Sequence, residues 1–296
     1  MADLLFRGTA PALITPFTDD DRIDEPALRR VIDFQIEGGI DALVVLGTTG
    51  ENPTVTHDER RRIVDLAIEQ VDHRIPVIVG SGTNNTAQSV DFSREAVASG
   101  ADALLVVGPY YNKPTPAGLI GHVSAIADAA DLPILLYNVP GRTGSNITAE
   151  TTLRIASEVP AVFGVKEASG SMPQIMDLLR DRAPGFGVYS GDDDLTLPMV
   201  ALGGDGVVSV AANALPHAIA EMTRLALDGN IEDARERHFA LLEAMRASFY
   251  EANPGPVKAV MAEMGLISER MRLPLAPLLD DTRRRVLDAY RPHLPS

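Results

Sequence analysis

Short apolar runs alternate with longer amphipathic segments along the chain, up to about residue 227. The apolar runs, such as Leu-Val-Val-Leu at 43–46, are continuous, which is typical of strands covered on both faces. We predict strands near 10–14, 42–46, 76–79, 103–107, 134–137, 162–166, 187–189 and 206–210, and helices near 26–38, 57–71, 86–99, 116–130, 149–157, 172–181, 194–202 and 216–227. Eight consecutive strand–helix units favour a closed α/β barrel, the (β/α)8 or TIM barrel, over an open doubly wound sheet.

After residue 227 the pattern changes to helices alone, which we predict near 231–251, 257–264 and 281–290. A (β/α)8 barrel is complete without them. We therefore divide the chain into a barrel at 1–227 and a C-terminal helical region at 228–296, which packs on the barrel or builds a subunit interface.

Residues at the predicted helix ends agree with these boundaries. Two pairs match the capping box, in which the first residue and the one three positions later bond to each other's backbone, namely Thr56 with Glu59 and Ser171 with Gln174. Prolines suit first helical turns and glycines suit left-handed helix ends, here at Pro116, Pro216, Gly38, Gly100 and Gly203.

Composition narrows the partners and the chemistry. The net charge of −15 argues against nucleic acid and anionic membranes, because both bind basic surfaces; the excess of acids reflects either solubility or a salty cytoplasm. No cysteine is present, which excludes disulfides, thiolate catalysis and Cys-bound zinc and fits a reducing compartment. No apolar run approaches the ~20 residues of a membrane span, and residues 1–9 do not resemble a signal peptide. We expect a cytoplasmic protein.

The active site of a (β/α)8 barrel forms at the carboxyl ends of its strands. The loops in question follow strands two, four, five, six and seven, and each carries polar or aromatic side chains. They read GTTGE at 47–51, PYYNKP at 109–114, YNVPGRT at 137–143, KE at 166–167 and SGDDD at 190–194.

Lys166 ends the predicted sixth strand, and the only other lysines are Lys113 and Lys258. A lysine in that place points into the barrel mouth or lies buried, and burial favours the neutral form of an amine. A neutral amine is the form that attacks a ketone to make an imine. The alternative is a structural lysine paired with Glu167 or with a carboxylate of a neighbouring strand, and the spacing alone favours neither.

The other loops offer groups for binding and proton transfer. Thr48 and Thr49 between two glycines present hydroxyls and backbone N–H groups that suit a carboxylate, although alone an ordinary turn explains them better. Tyr137 either transfers protons or lines the barrel, and Arg142 either binds a carboxylate or closes a loop ion pair. Glu51 is predicted to lie at the surface or to brace its loop.

Further features are interpreted as structural. Adjacent Tyr110 and Tyr111 are more typical of an interface than of an active site. The acids at 192–194 cannot all face one ion, and an acidic helix start explains them better than a metal site. His57 follows a helix cap as a surface residue, and Gly-Ser-Gly at 80–82 lacks the third glycine of a dinucleotide site.

Together these loops resemble the dihydrodipicolinate synthase / N-acetylneuraminate lyase superfamily. The resemblance covers essentially the whole chain, with motifs in the superfamily's order at 47–51, 137–143 and 164–167. Three further motifs narrow it to the dihydrodipicolinate synthases, namely PYYNKP at 109–114, NPGPVK at 253–258 and RLPL at 272–275.

The resemblance implies a Schiff-base aldol condensation that needs no metal and no organic cofactor. Lys166 would form an imine with pyruvate, and the resulting enamine would attack L-aspartate 4-semialdehyde. Cyclisation would give 4-hydroxy-tetrahydrodipicolinate, in the first committed step of diaminopimelate and lysine biosynthesis. The other implied roles are pyruvate carboxylate binding by Thr48 and Thr49, a proton relay of Thr49, Tyr137 and Tyr111, semialdehyde binding by Arg142, and backbone contacts from Gly191 and Val208.

The resemblance also implies a homotetramer built from tight dimers, with Tyr111 reaching across a dimer interface. Members are often inhibited by lysine, at positions matched here by Tyr110, Asn84 and His57. Where inhibited members often carry a glutamate and a histidine, this chain has Gln88 and Arg60. Losing an acid and gaining a positive charge weakens the binding of an amine, so we predict weak or absent inhibition.

Two other functions stay open. One is another pyruvate-dependent aldolase of the superfamily, which cleaves N-acetylneuraminate or a 2-keto-3-deoxy sugar acid; Arg142 disfavours it because those enzymes generally lack that arginine. The other is a non-catalytic barrel that binds small acids, which the joint presence of Lys166, Tyr137, Thr49 and Tyr111 disfavours. Trapping a pyruvate imine with borohydride distinguishes an aldolase from such a barrel.

Overall fold

The computed structural model describes residues 4–294, and within them eight parallel strands form one sheet in the order β1-β8-β7-β6-β5-β4-β3-β2. Ala12 bridges to Val44, and the Leu13 amide donates to the Val44 carbonyl over 2.8 Å, so the chain after β1 meets β2 and closes the sheet. The predicted (β/α)8 barrel is confirmed. The strands are β1 (Gly8–Pro11), β2 (Leu43–Val45), β3 (Val77–Gly80), β4 (Ala103–Val107), β5 (Ile134–Asn138), β6 (Val162–Glu167), β7 (Gly187–Ser190) and β8 (Gly206–Ser209).

Helices follow every strand and cover the outside of the barrel, as parallel strands require. They are α1 (Glu25–Glu37), α2 (His57–Val71), α3 (Thr86–Ser99), α4 (Pro116–Ala130), α5 (Pro140–Thr143), α6 (Ala149–Glu158), α7 (Met172–Asp181), α8 (Thr196–Ala201) and α9 (Pro216–Leu227). The C-terminal region adds α10 (Ile231–Ala247), α11 (Gly255–Glu263) and α12 (Asp280–Tyr290). Short 3-10 turns lie at Asn52–Thr54, Asp193–Leu195, Ala211–Asn213 and Arg291–His293. The one-turn helix α5 was not predicted.

The two predicted capping boxes have different outcomes. Thr56 and Glu59 form the complete box, because the Thr56 hydroxyl accepts from the Glu59 amide (3.4 Å) and the Glu59 carboxylate accepts from the Thr56 amide (2.9 Å). Ser171 accepts from the Gln174 amide (3.4 Å), but the Gln174 side chain donates to Glu167 (3.0 Å) instead of returning to Ser171. Only half of the second box therefore forms, since Glu167 offers a charged acceptor.

Some element boundaries also differ from the prediction. Strand β1 begins and ends earlier than the predicted 10–14. The Ala12 amide still donates to the Ser209 carbonyl of β8 (2.8 Å), but the Leu13 amide donates to Val44 of β2 (2.8 Å), so the chain has turned towards β2 by residue 13. Helix α1 ends with a left-handed residue at Gly39 (φ 79°) and not at Gly38 (φ −69°). Helix α10 ends at Ala247 instead of 251.

The two main apolar cores of the described residues hold the layers of the barrel together. The outer core lies between the strands and the helices and includes Val31, Leu66 and Ile126. The inner core fills the barrel with side chains that alternate with the outward ones along each strand. Its members include Ala10, Val44, Ile78, Leu105, Leu135, Tyr137, Tyr189 and Val208. Burial of these surfaces is the main force that holds the layers together.

Polar bonds and an aromatic pair close the amino-terminal end of the barrel. Phe6 stacks on Tyr189 with ring centroids 4.3 Å apart, and the Tyr189 hydroxyl donates to the Phe6 carbonyl (2.6 Å). The carboxylate of Asp41 accepts from the Thr9 amide over 2.8 Å. This position of the Asp41 carboxylate requires glycine at position 8, because a Cβ there would lie 2.0 Å from Asp41 Oδ2. Phe6 and Tyr189 are both buried, so their side chains fill this end of the barrel.

The C-terminal region packs against the barrel helices. Helix α10 contacts α8, α9 and α12, and α11 contacts the turn Ala211–Asn213. The hydroxyls of Ser248 and Tyr290 are 2.6 Å apart in the buried contact between α10 and α12. The division of the chain at 227/228 stays a prediction.

Between residues 4 and 294 no helix is long and apolar enough to cross a membrane. The signal-peptide interpretation concerned residues 1–9, and residues 1–3 lie outside the described part of the chain.

Candidate active site

Lys166 and Tyr137 lie side by side at the carboxyl ends of β5 and β6. The register pairs these two residues, and the Lys166 ammonium group lies 4.3 Å from the centroid of the Tyr137 ring. Both residues are almost fully buried, at 4% and 5% exposure. The packing of the inner core thus places an amine and a phenol together at the mouth of the barrel.

Lys166 has no carboxylate partner within ion-pair distance among residues 4–294. The structural alternative paired it with Glu167, but the Glu167 carboxylate is occupied by other donors. Asn138 donates to both of its oxygens (3.0 and 3.1 Å), and the Ser169 amide donates over 2.8 Å. A buried lysine without an ion pair is costly for a fold, so a purely structural role explains Lys166 poorly.

Gly191 and Asp192 follow β7 and border Lys166 on its other side. A Cβ at Gly191 would lie 3.1 Å from Cε of Lys166 and 2.5 Å from Cβ of Ala168. Only glycine therefore leaves room for the lysine side chain. Burial raises the pKa of the Asp192 carboxyl to about 6, although the positive charge of Lys166 acts in the opposite direction.

Thr48 and Thr49 follow β2 in a tight turn. The Gly50 amide donates to the Gly47 carbonyl (3.2 Å), which bends the chain at the strand end. Thr48 is half-buried and lines the cavity described below, whereas Thr49 is 2% exposed. The Thr49 hydroxyl accepts a hydrogen bond from the side chain of Asn253 (2.9 Å). A residue of the C-terminal region therefore touches the turn.

Glu51, in the same loop, is not a surface residue. Its side chain and that of Lys258 are fully buried and form an ion pair, and the backbone amide of Arg272 donates to Glu51 over 3.1 Å. The Lys258 ammonium also donates to the Arg270 carbonyl over 2.8 Å. The surface interpretation is wrong, and the loop-bracing one is confirmed.

Arg142 stands on α5, directly after β5. Proline at the first helical position and the hydrogen bond from the Arg142 amide to the Val139 carbonyl (2.9 Å) define this single turn. The Arg142 side chain is exposed, and it forms no ion pair with any carboxylate in the described part of the chain. The alternative of a loop ion pair is thus not observed, and the guanidinium group is available to a ligand.

A cavity of about 450 Å³ opens at this end of the barrel, between the loops that follow β2, β3, β4 and β5. Its size suits a small organic acid. Thr48, Tyr137 and Arg142 line it, and the Lys166 amine, which is not part of this lining, lies 4.3 Å from the centroid of the Tyr137 ring. The lining also includes Asn52, Arg60, Gln88 and Tyr110. Three predicted site residues therefore share one concave surface.

Tyr111 and Val208 lie away from this surface. Tyr111 is 88% exposed and has a left-handed backbone (φ 73°), which is unusual for an aromatic residue. It stands on the loop after β4 and does not line the cavity of the chain to which it belongs. Val208 is fully buried in the inner core, where it pairs with Ala10. The roles of both residues stay predictions.

The acids at 192–194 face different partners. Asp193 is buried and accepts from the Ser209 hydroxyl and from the amides of Val210 (3.0 Å) and Ala211 (3.1 Å). Asp194 approaches Arg246 at 3.6 Å. In the range 4–294, no group of three or more His, Cys, Asp or Glu side chains is arranged to hold a metal ion.

Arg60 lines the cavity, and it stands at a position that the resemblance links to lysine inhibition. It is 3% exposed, donates to Asn52 over 2.6 Å and to the Gly80 carbonyl, and stacks on Phe92 at 4.1 Å. Burial lowers its pKa to about 10, so the group stays charged near neutral pH. His57 pairs with Glu95 over 2.7 Å. The weak or absent inhibition by lysine stays a prediction.

Asn253 and Lys258 belong to the NPGPVK motif, and the sequence predicts no role for either side chain. Their partners, Thr49 and Glu51, lie 204 and 207 positions away. The rarity of lysine in this chain was the one signal that singled out Lys258.

Comparison with known proteins agrees with this geometry. A model described as the dihydrodipicolinate synthetase family matches residues 5–291. The chain is 62% identical over 290 residues to the 4-hydroxy-tetrahydrodipicolinate synthase of Salinibacter ruber, and the match covers 97% of this chain and 96% of that protein.

Solved structures give the same result. A dihydrodipicolinate synthase variant described as the first monomeric one has a TM-score of 0.95 and 43% identity, with 97% of this chain and 96% of that chain covered. The chloride-inhibited dihydrodipicolinate synthase of Acinetobacter baumannii, complexed with pyruvate, has a TM-score of 0.94 and 38% identity, with 96% and 98% covered.

Proposed function

The chain belongs to the dihydrodipicolinate synthetase family, and we propose that its reaction runs through an imine between pyruvate and the side chain of Lys166. It is a lyase that condenses pyruvate with L-aspartate 4-semialdehyde to give 4-hydroxy-tetrahydrodipicolinate, in diaminopimelate and lysine biosynthesis. The observation that carries the proposal is the buried Lys166 amine, which rests on Tyr137 and has no carboxylate partner among the described residues.

The Lys166 nitrogen attacks the ketone carbon of pyruvate, and loss of water gives the imine. Loss of a proton from the pyruvate methyl carbon then gives an enamine. That carbon forms a bond to the aldehyde carbon of the semialdehyde, whose oxygen takes up a proton. Finally the amine of the semialdehyde displaces Lys166, which closes the ring and frees the enzyme. One water is released in total, and neither a metal nor an organic cofactor takes part in the family's reaction.

Tyr137, Thr49 and Tyr111 form the proposed proton relay. The contact between the Lys166 amine and the Tyr137 ring supports this role, since the phenol stands beside the reacting nitrogen. Tyr111 is exposed on its own chain, which fits a residue that completes the site of a second copy. The proposal therefore includes a dimer, and a tetramer made of two dimers. A related protein is described as monomeric, so the oligomer needs its own test.

Binding of the two substrates is assigned to different sides of the cavity. Thr48 and Thr49 hold the pyruvate carboxylate near Lys166, and Gly191 and Val208 contribute backbone contacts. Arg142, exposed and without an ion-pair partner among residues 4–294, binds the carboxylate of the semialdehyde at the cavity mouth. A cytoplasmic location is part of the proposal, because a chain without cysteine suits a reducing compartment.

The first experiment mixes purified protein with both substrates and a reductase that consumes the heterocyclic product together with NADPH. Loss of NADPH that depends on both substrates is expected. Borohydride should trap pyruvate on the wild-type chain, and Lys166→Ala should lose trapping and turnover together. Trapping that survives in Lys166→Ala would move the imine to another lysine. Trapping without product would instead point to a sugar acid as the second substrate.

A further inference from the structure

The hydroxyl of Thr49 has a fixed donor on one side. The side-chain amide of Asn253, in the segment between α10 and α11, donates to Thr49 Oγ1 over 2.9 Å. Both residues are buried, at 5% and 2% exposure. The bond therefore connects the C-terminal region to a residue of the proposed proton relay, inside the protein and away from bulk water.

The direction of this bond limits what the Thr49 hydroxyl can do. A hydroxyl carries one hydrogen and two acceptor lone pairs. Because Asn253 donates, it occupies a lone pair and leaves the hydrogen of Thr49 available to another acceptor. If the Asn253 amide were reversed, its oxygen would accept the Thr49 hydrogen. Its NH2 group, with two donors, would then be buried at the position where Oδ1 has no partner.

Asn253 keeps this orientation at a cost. Its Oδ1 atom is buried and has no hydrogen-bond partner within residues 4–294. Buried polar groups are nearly always paired, so an exception calls for a reason. An apolar residue would fill the space without an unpaired acceptor, but it would not donate to Thr49.

The segment around Asn253 is itself anchored to the same loop. Helix α11 begins just after it, where the Lys258 amide donates to the Pro254 carbonyl over 3.0 Å. The Lys258 side chain then pairs with the buried Glu51, two residues beyond Thr49. The loop is thus held at Thr49 by Asn253 and at Glu51 by Lys258. These two contacts together keep Asn253 and Thr49 within hydrogen-bond distance.

We infer that Asn253 is a positioning residue for the reaction: its amide donates to Thr49 and so reserves the Thr49 hydroxyl hydrogen for the relay with Tyr137. The inference rests on the proposed function, since the relay is part of it. Asn253 itself touches neither substrate in this account and acts only through Thr49.

The test is a double-mutant cycle on kcat. Asn253→Asp keeps the shape of the side chain but, when ionised, accepts only, so it draws the Thr49 hydrogen away from the relay. Acid–base groups contribute about 10²–10⁴-fold to rates; we expect Asn253→Asp to lower kcat by about 10–100-fold, with the KM for pyruvate changed by less than about 3-fold. In a Thr49→Val background the same change should lower kcat by less than about 2-fold, because the hydroxyl is already absent.

Thr49→Ser is the matched control, because it keeps the hydroxyl; the full loss caused by Asn253→Asp should persist there. Asn253→Ala, which also lacks the donor, replaces the Asp variant in the same cycle if the latter does not fold. Multiplicative effects in the Thr49→Val background, or an unchanged kcat in Asn253→Asp, would overturn the inference. The wild-type protein is assayed in parallel for pyruvate trapping and product formation. If it does both, a negative cycle overturns the inference alone; if it does neither, the proposed function fails and the inference fails with it.

Discussion

Replacing Lys258 by methionine would leave the Glu51 carboxylate buried without its cation. Both side chains are fully buried, and the ammonium group also donates to the Arg270 carbonyl (2.8 Å). Removing one partner of a buried ion pair costs about 3–5 kcal/mol. Glu51 keeps the hydrogen bond from the Arg272 amide (3.1 Å), so we expect the lower end, about 3 kcal/mol.

Thermal unfolding followed by circular dichroism measures this cost. At about 2–4 °C per kcal/mol for a chain of roughly this size, the melting temperature of Lys258→Met should fall by about 6–12 °C. The same substitution at the exposed Lys113 is the control, and we expect it to change the free energy of unfolding by no more than about 0.5 kcal/mol. Glu51→Gln in the Lys258→Met chain should recover part of the loss, because it removes the unpaired charge.

A melting temperature of Lys258→Met within about 2 °C of wild type at neutral pH would refute this reasoning. It would mean that water reaches the carboxylate or that another cation replaces the lysine. A double variant Glu51→Gln/Lys258→Met no more stable than Lys258→Met alone would show that packing, and not the unpaired charge, causes the loss.

The remaining predictions concern the substrates, the oligomer and surface charge. In steady-state kinetics, Arg142→Ala should raise the KM for the semialdehyde about 10-fold or more, since a charge-assisted bond contributes about 1.5–3 kcal/mol. The KM for pyruvate should not change. If the KM for the semialdehyde does not change either, Arg142 does not bind its carboxylate. Activity should fall on dilution to monomers if Tyr111 acts across a dimer, and full activity from a proven monomer would contradict this. Glu59→Gln should lower the free energy of unfolding at pH 7 by about 1–2 kcal/mol, discounted for partial exposure. Arg272 lowers the pKa of Glu59 to about 2, so the stabilisation is present above pH 4.5 and is lost as the pH falls towards 2. Acid unfolding curves of the two proteins measure this loss, and identical curves would exclude the ion pair. Lysine should inhibit weakly or not at all because of the buried Arg60, and inhibition below 1 mM would show the prediction wrong.

The barrel was predictable because its signals are local. A strand covered on both faces is a continuous apolar run whatever its neighbours are, and a helix start such as Thr56 carries its capping partner three residues away. Lys166 and Tyr137 could be placed at one end of the barrel because carboxyl ends of parallel strands meet there. Their contact follows from the register of β5 and β6 and needs no further information.

The environment of Glu51 could not be predicted, because it depends on packing between distant segments. Its partner Lys258 lies 207 positions away, in a region whose placement no periodic pattern specifies. An acid in a glycine-rich loop suggests exposure when only its neighbours are considered. The short helix α5 was missed for a related reason, since a single turn shows no helical period.

The C-terminal region completes the loop after β2, whose backbone is strained at two positions. Leu46 and Glu51 both have left-handed backbones (φ 56° and 53°), which cost about 1–2 kcal/mol each for residues other than glycine. Such strain persists only where surrounding contacts enforce it. The contacts that do so at this loop include Asn253 on Thr49 and Lys258 on Glu51. A barrel that ended at residue 227 would keep every strand and still lose the geometry of the turn that presents Thr48 and Thr49. The helices after the barrel therefore belong to the proposed active site as much as the strands do.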